Sequence, residues 1–304
     1  MLIRRVLSDD RVDVEVFDDS QWRRATDPEV VGAGAFDPRW QLRTAQRQLA
    51  QSRHLLPIQP LSFRDFMVYE RHTIDAGRGL LRRFHPTQYR VASTIEKLTR
   101  RPVALLKPKP LFYTQPIYYM SNHLTFVPSG TPIQIPSYSH ALDYELEIGF
   151  VLAAPLRDAS PTAALDAIGA FVLLNDFSAR DIQRAEMASG FGPQKAKHFA
   201  SSMSPTAVTA DEILPRIDTL GGSVAINGTT VSTVSSAGMH WSIGEMLAHA
   251  SRSEQLLPGE LFGTGTLPGG SGMETGHWLQ PGDTLSLRLA EIGEIHHTVA
   301  MKGQ

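Results

Sequence analysis

The sequence predicts an α+β protein built on a mostly antiparallel or mixed sheet. From about residue 125, β-rich segments follow one another: FVPSGTPIQIP, LDYELEIGF, SVAINGTTVSTV and PGDTLSLRLAEIGEI. Turn residues such as Pro, Gly and Asn set them apart. Helical spacing interrupts them at SPTAALDAIGA (160–170) and SIGEMLAHAS (242–251). No Gly-x-Gly-x-x-Gly fingerprint follows a strand, so a doubly wound dinucleotide fold is not predicted.

The bulk properties narrow the class further. The chain has 304 residues, 42% of them hydrophobic, enough for a real core. Its formal net charge of −2 argues against nucleic acid or an anionic membrane as partner. It has no cysteine, which excludes disulfides, thiolate nucleophiles and zinc–sulfur sites. Charge appears too early in MLIRRVLSDDRVDVEVFDD for a signal peptide. The longest apolar stretch, 167–174, is far short of the ~20 residues of a membrane helix. A cytoplasmic location is expected.

In chain order, residues 1–55 read as a small N-terminal region and 56–304 as a catalytic domain. VDVEVF (12–17) has strand character, and 38–53 has polar helical spacing. LLPIQP (55–60) reads as a connection. Residues 62–84, SFRDFMVYERHTIDAGRGLLRRF, then predict one helix capped by Ser62. Phe171–Leu174 read as a buried strand ended by Asn175 and Asp176. Ser178-x-x-Asp181 resembles a helix-start box. Asn227–Gly228 signals a hairpin. Leu285, Leu287 and Leu289 alternate with polar residues on a late strand. His296 and His297 follow; they should face opposite ways, and both read as surface.

The candidate chemistry lies in four segments. Asp143, Glu145 and Glu147 alternate with Tyr144, Leu146 and Ile148, so a strand would put the acids on one face. That face either meets water or surrounds a hard cation, which prefers carboxylate oxygens. Asp176 sits at a strand end, and Arg180 and Gln183, three apart, are neighbours on the helix after it. Lys195 and Lys197 precede Ser201 and Ser202 on a loop. Asp65 and His72 are seven apart, two turns on one helical face, a spacing that permits a metal ligand beside a general base.

Taken together and in order, RDFMVYERH, YYM before SGTPI, DYELE, NDFSARDIQ, KHFASSMSP, GTGT and PGD resemble the fumarylacetoacetate hydrolase family over roughly residues 60–300. The resemblance implies a β-rich mixed-sheet roll, assembled as a homodimer. It implies a divalent metal ion (Mg²⁺, Mn²⁺ or Ca²⁺) held by Glu145, Glu147 and Asp176, with Asp65 completing the shell and Asp143 structural. His72 matches the base that activates water, and Glu274 matches the acid that orients it. Arg180, Gln183 and Lys197 match groups that hold substrate oxygens, and Tyr119 and Thr266 match further pocket positions. The implied reaction is hydrolysis of a carbon–carbon bond in a 1,3-diketo acid of the fumarylacetoacetate or acylpyruvate type. A decarboxylase, isomerase or dehydratase of a keto or sugar acid, or a non-catalytic keto-acid-binding protein, are the alternatives. Two departures stand out. Met67 and Met187 occupy positions where fumarylacetoacetase carries tyrosines, which implies a less polar or differently held substrate. Arg78, Arg82 and Arg83 are each able to meet a substrate carboxylate.

Overall fold

Strand pairing in the computed structural model, which describes residues 1–8, 11–26 and 55–300, builds one eleven-stranded mixed sheet. Its main path runs β3 (Gln21–Arg24), β2 (Arg11–Asp18), β1 (Leu2–Ser8), β12 (Ala207–Thr209), β9 (Ile168–Asp176) and β8 (Glu145–Leu152). It continues through β15 (Leu261–Ser271), β4 (Phe63–Phe66) and β5 (Tyr118–Ser121). β11 (Ser201–Met203) branches from β9 and carries β6 (Phe126–Pro128) in parallel. A short ladder joins β7 (Leu142–Asp143) to β10 (Ser178–Ala179). A four-stranded sheet has the order β14 (Thr229–Ser235), β13 (Gly221–Ile226), β16 (Thr284–Leu289), β17 (Gly293–Thr298). The first strands extend the large sheet, because β1 pairs with β12. The helical spacing at 38–53 lies outside the described residues.

β8 is the strand on which the site depends. All eight of its residues are buried. Leu146, Ile148, Phe150 and Leu152 enter the main core, where Phe150 stacks on Phe262 with centroids 5.5 Å apart. Each such side chain contributes about 1.5–3 kcal/mol by leaving water. Val151, on the other face, joins a second core with Phe63, Val172 and Leu261. Glu145 and Glu147 share that second face. The alternation is therefore as the sequence implies, but the acidic face meets the protein interior and not solvent.

Five local expectations are corrected. Residues 62–84 do not form one helix: β4 pairs with β15 and β5, and the helix begins only at Glu70. All four β4 residues are buried, so strand pairing outweighs the helical spacing. Ser62 caps nothing; its hydroxyl donates to Glu260. Asp65 and His72 thus sit on different elements. The box at 178–181 is also absent. Ala179 precedes the helix Arg180–Ala188, Ser178 donates to the carbonyl of Asp176, and Asp181 accepts from Ser139 and the amide of His140. Helical structure within 160–170 is confined to Pro161–Leu165, because β9 starts at Ile168.

The hairpin expectation holds, with Asn227 and Gly228 both left-handed at φ 52° and 77°. Leu285, Leu287 and Leu289 are buried as predicted, and Ser242 caps the helix Ile243–Ala250 in a full capping box.

The two histidines do face opposite ways, but His297 is buried. It packs edge-on against Phe177, with Nδ1 2.7 Å from the carbonyl of Thr131 and Nε2 2.8 Å from Ser202 Oγ. Burial pushes its pKa down from 6.5 to about 4. The folded state therefore resists a proton that the unfolded chain accepts. Stability from this residue is complete above the unfolded value of 6.5 and is lost as pH falls toward about 4. The full effect is roughly 3 kcal/mol. His297→Gln is expected to be less stable than the parent near neutral pH, with the gap narrowing steadily toward pH ~4.5 in denaturant melts. A gap of constant size would remove His297 as the source.

Candidate active site

Three strands bring acids to one point. Asp65 projects from β4, Glu147 from β8 and Asp176 from the last residue of β9. One carboxylate oxygen of each lies within 4.8 Å of the others, and all three residues are buried. Gly263 on β15 makes the convergence possible. A Cβ there would sit 2.6 Å from Asp65 Oδ1 and 3.0 Å from Glu147 Oε2. Between Gly263 and Thr266 the register of β15 against β8 shifts. Gly265, with φ 78°, takes the bend; a Cβ there would approach the Phe66 carbonyl to 2.3 Å. The shift sets Thr266 opposite Glu147, and its hydroxyl donates to Glu147 Oε1 at 3.4 Å.

The donor set fits a hard divalent cation. Asp65 Oδ1 and Glu147 Oε2 are buried with no hydrogen-bond partner, an expensive state for carboxylate oxygens. Burial, with Asp176 alongside, pushes Asp65 up to about 8. Burial, with Asp65 and Glu145 alongside, pushes Glu147 well up. A cation of the Mg²⁺, Mn²⁺ or Ca²⁺ type takes oxygen donors of this kind.

Glu145 is differently placed. Its oxygens are bound by Arg180 Nη2 at 2.7 Å and by Lys197 Nζ. Burial works against its charge, but Arg180, Lys197 and His72 outweigh it and hold the carboxyl below its usual range. Of the four acids implied as ligands, the structure thus gathers Asp65, Glu147 and Asp176, and gives Glu145 to two cations.

The remaining polar groups form one network. Asp176 accepts from Tyr119 Oη at 2.6 Å and Ser201 Oγ at 3.0 Å, with Lys197 Nζ 2.8 Å away. Lys197 is buried, whereas Lys195 is exposed. Arg180 donates from Nε to Asp143 at 2.8 Å and from Nη1 to Gln183 Oε1 at 2.8 Å. With that oxygen taken, the amide NH₂ is what Gln183 has left to offer. Asp143 is structural, as expected: besides Arg180 it accepts the amides of Tyr144, Gly272 and Met273. It therefore ties the arginine to the short helix Gly272–Thr275.

That short helix carries Glu274. Ser271 and Glu274 make a capping box, and Glu274 also accepts the amide of Gly269 at 3.0 Å. Glu274 Oε2 lies 3.0 Å from His72 Nδ1, an ion-pair distance outside hydrogen-bond geometry. His72 is buried on the helix Glu70–Phe84. Burial opposes its charge, yet Glu274 outweighs burial and raises its pKa above 6.5. Gly79 lets the two elements touch, since a Cβ there would overlap the Met273 carbonyl at 1.6 Å.

Asp65, His72, Tyr119, Glu145, Glu147, Arg180, Gln183, Lys197 and Thr266 line a common cavity of about 550 Å³. Its other wall is apolar, formed by Met67, Ala76, Gly77, Leu80, Ile117 and Met187. The three flanking arginines are not among its lining residues. Arg78 pairs with Glu96 and Asp75, Arg82 donates to the Glu274 carbonyl, and Arg83 lies over Trp278, 4.0 Å from the ring centroid.

Sequence reasoning gave no site role to Asn175, which accepts the Glu145 amide, or to Ser201, Gly263 and Ser271. Only Ser271 left a local signal, the Ser-x-x-Glu box of SGME.

The raised acids make metal and pH interdependent. Asp65 retains a proton up to about pH 8 in the folded protein, while the unfolded chain sheds it near 3.8. Metal-free protein is therefore expected to lose stability as pH rises through that window. Added Mg²⁺ or Mn²⁺ should raise the melting temperature more at pH ~8.5 than at pH ~6, because binding displaces those protons. Equal shifts at both pH values would place the metal elsewhere.

Comparison with known proteins places the chain. Residues 92–300 match the family described as fumarylacetoacetate (FAA) hydrolase C-terminal. Asp65 and His72 lie ahead of that segment. The human protein named oxaloacetate tautomerase FAHD1, mitochondrial, is 30% identical over 156 residues, 51% of this chain and 71% of that protein. The 2,4-didehydro-3-deoxy-L-rhamnonate hydrolase of Sphingomonas sp. (strain SKA58) is 28% identical over 182 residues, 59% of this chain and 63% of that protein. The solved fumarylacetoacetate hydrolase of Exiguobacterium antarcticum superposes with a TM-score of 0.71 at 21% identity, covering 99% of this chain and 100% of its own. The 5-carboxymethyl-2-hydroxymuconate delta-isomerase of Mycobacterium smegmatis gives a TM-score of 0.68 at 21% identity, covering both chains fully. Among the described residues, no helix is long and apolar enough to cross a membrane. With the family match spanning more than half of the sequence and the same fold throughout, the chain belongs to the fumarylacetoacetate hydrolase family.

Proposed function

We propose that the protein is a metal-dependent hydrolase that cleaves a carbon–carbon bond in a 1,3-diketo acid with water activated by His72. The observation that carries this is the buried pair His72–Glu274, with His72 lining the cavity that Asp65 and Glu147 of the acid triad also line. Asp65, Glu147 and Asp176 would hold the cation. When bound, a divalent ion there supplies Lewis-acid polarisation of a carbonyl.

The rest falls to the chain's own groups. Glu274 faces Nδ1 at 3.0 Å, which leaves Nε2 as the nitrogen that takes a proton from water. The hydroxide adds to the acyl carbonyl carbon. The Gln183 amide and the Lys197 ammonium stand where the oxygen gains charge, an effect worth about 3 kcal/mol per donor in comparable sites. The bond between that carbon and the central methylene then breaks. The carboxylic acid leaves on one side, and the 2-oxo acid takes its proton back from His72 on the other. Arg180, with its nitrogens committed to Asp143, Glu145 and Gln183, orients rather than binds.

A second reading has one observation in its favour, the identity to a relative named as an oxaloacetate tautomerase. His72 would then move a proton on the substrate carbon itself. Products separate the two: hydrolysis yields two acids, tautomerisation leaves the carbon skeleton whole.

His72→Ala should cut turnover about 10²–10⁴-fold while metal still shifts the melting temperature. Because His72 must be neutral to act, activity should climb with pH above 6.5, and Glu274→Gln should move that limb downward. Full turnover in His72→Ala would sink the assignment. The apolar wall predicts preference for an alkyl or aryl acyl end over a second carboxylate. Across an acylpyruvate series, kcat/KM should rise up to about fourfold per added methylene, from ~0.8 kcal/mol per buried CH₂. A flat series, or preference for short dicarboxylates, would contradict it.

A further inference from the structure

We infer that Glu186, which is not among the residues lining the cavity, is the positioning residue for Lys197. Glu186 lies on the helix Arg180–Ala188, and its carboxylate gathers three consecutive backbone amides. Oε2 accepts from Gln194 at 2.6 Å and Ala196 at 3.1 Å, and Oε1 accepts from Lys195 at 2.9 Å. Amides turned inward in succession form an anion cradle, and here the anion is a side chain of the same protein.

The next residue is Lys197. Its ammonium is buried between Glu145 and Asp176, and its own amide closes the turn onto the Gln194 carbonyl at 3.0 Å. Burying an ammonium is costly, so the side chain stays in place only while its backbone is held. Residues 189–193, which lead into it, offer little to hold it. Gly190 and Gly192 both have left-handed backbones, and Phe191 between them is 85% exposed. Ser189 ties only the start, donating to the Glu186 carbonyl and accepting from the Phe191 amide. On the far side, Tyr138 donates to the Lys195 carbonyl at 2.7 Å, and the Ala179 amide donates to the Ala196 carbonyl at 2.8 Å. Those two bonds fix carbonyls. Among the described residues, Glu186 alone fixes the amides of 194–196. The same helix carries Arg180 and Gln183, so one element sets the geometry of all three polar groups opposite the acids.

The test uses Glu186→Ala and Glu186→Gln beside Lys197→Met in the full chain. Its first readout, acylation of Lys197 by a small amine reagent followed by peptide mass spectrometry, does not depend on the proposed reaction. In Glu186→Ala, labelling of Lys197 is expected to accelerate at least tenfold, with the exposed Lys107 and Lys109 unchanged. Amide exchange at 194–196 should quicken with it. Glu186→Gln keeps one acceptor oxygen and should fall between; it carries the test if Glu186→Ala does not fold. The second readout rests on the proposed hydrolysis. kcat should fall at least tenfold in Glu186→Ala, and Glu186→Ala/Lys197→Met should be no slower than Lys197→Met alone. Unchanged protection of Lys197 in a folded variant, or losses that multiply in the double variant, would overturn the inference. If labelling accelerates while even the parent cleaves no diketo acid, the positioning role stands and the hydrolase assignment falls.

Discussion

Everything at the centre of this protein answers to one constraint: Asp65, Glu145, Glu147 and Asp176 are buried side by side. Two like charges ~5 Å apart at an intermediate dielectric repel by about 3 kcal/mol, before the cost of removing each from water. The chain meets this in two ways. Arg180 and Lys197 neutralise Glu145, and Lys197 also reaches Asp176. Asp65 and Glu147 are left with bare oxygens and raised pKa values. The unmet half of that charge problem is the reason the cluster suits a divalent cation.

Several glycines of the scaffold keep these groups in place. Gly263 leaves room for two carboxylates, and Gly265 bends β15 so that Thr266 reaches Glu147. Gly272 packs against Asp143, where a Cβ would meet Oδ1 at 2.6 Å. Asp143 in turn connects Arg180 to the helix that holds Glu274. The acid triad, the cation pair Arg180–Lys197 and the pair His72–Glu274 are therefore one connected structure. A change at any of these glycines would be felt at several functional groups together.

Proteins of this fold carry names of hydrolases and of isomerases, so the architecture does not select the reaction. In the reaction proposed above the selecting residue would be His72, which lies ahead of the segment matched to the family, as does Asp65. The acid-bearing strands β8 and β9, with Arg180 and Lys197, form the shared platform. β4 and the helix Glu70–Phe84 bring a fourth acid, Asp65, and a histidine, His72, to the same cavity.

Much of this was legible in the residues themselves. The period-two pattern of LDYELEIGF placed Glu145 and Glu147 on one face of a strand. FVLLND ended a buried strand on Asp176, and three-residue spacing joined Arg180 to Gln183. Asn-Gly wrote its own hairpin. These are local rules, set by backbone geometry over a few residues. Other features were not local. RDF lies in a stretch with helical spacing, yet pairing with β15 and β5 made it a strand and turned Asp65 toward Glu147. His297 was buried by the packing of Phe177 and Ser202 around it. Alternation told which side of β8 the acids take, but not whether that side is wet. The sequence by itself determined the alternation of β8, the buried run of β9, the Asn-Gly turn and the identities of the chemical groups, because those follow from short-range sterics and periodicity. Only the tertiary structure decided which acids share a cation site, which are claimed by Arg180 and Lys197, and which histidine is buried, because charge and burial depend on neighbours distant in the chain.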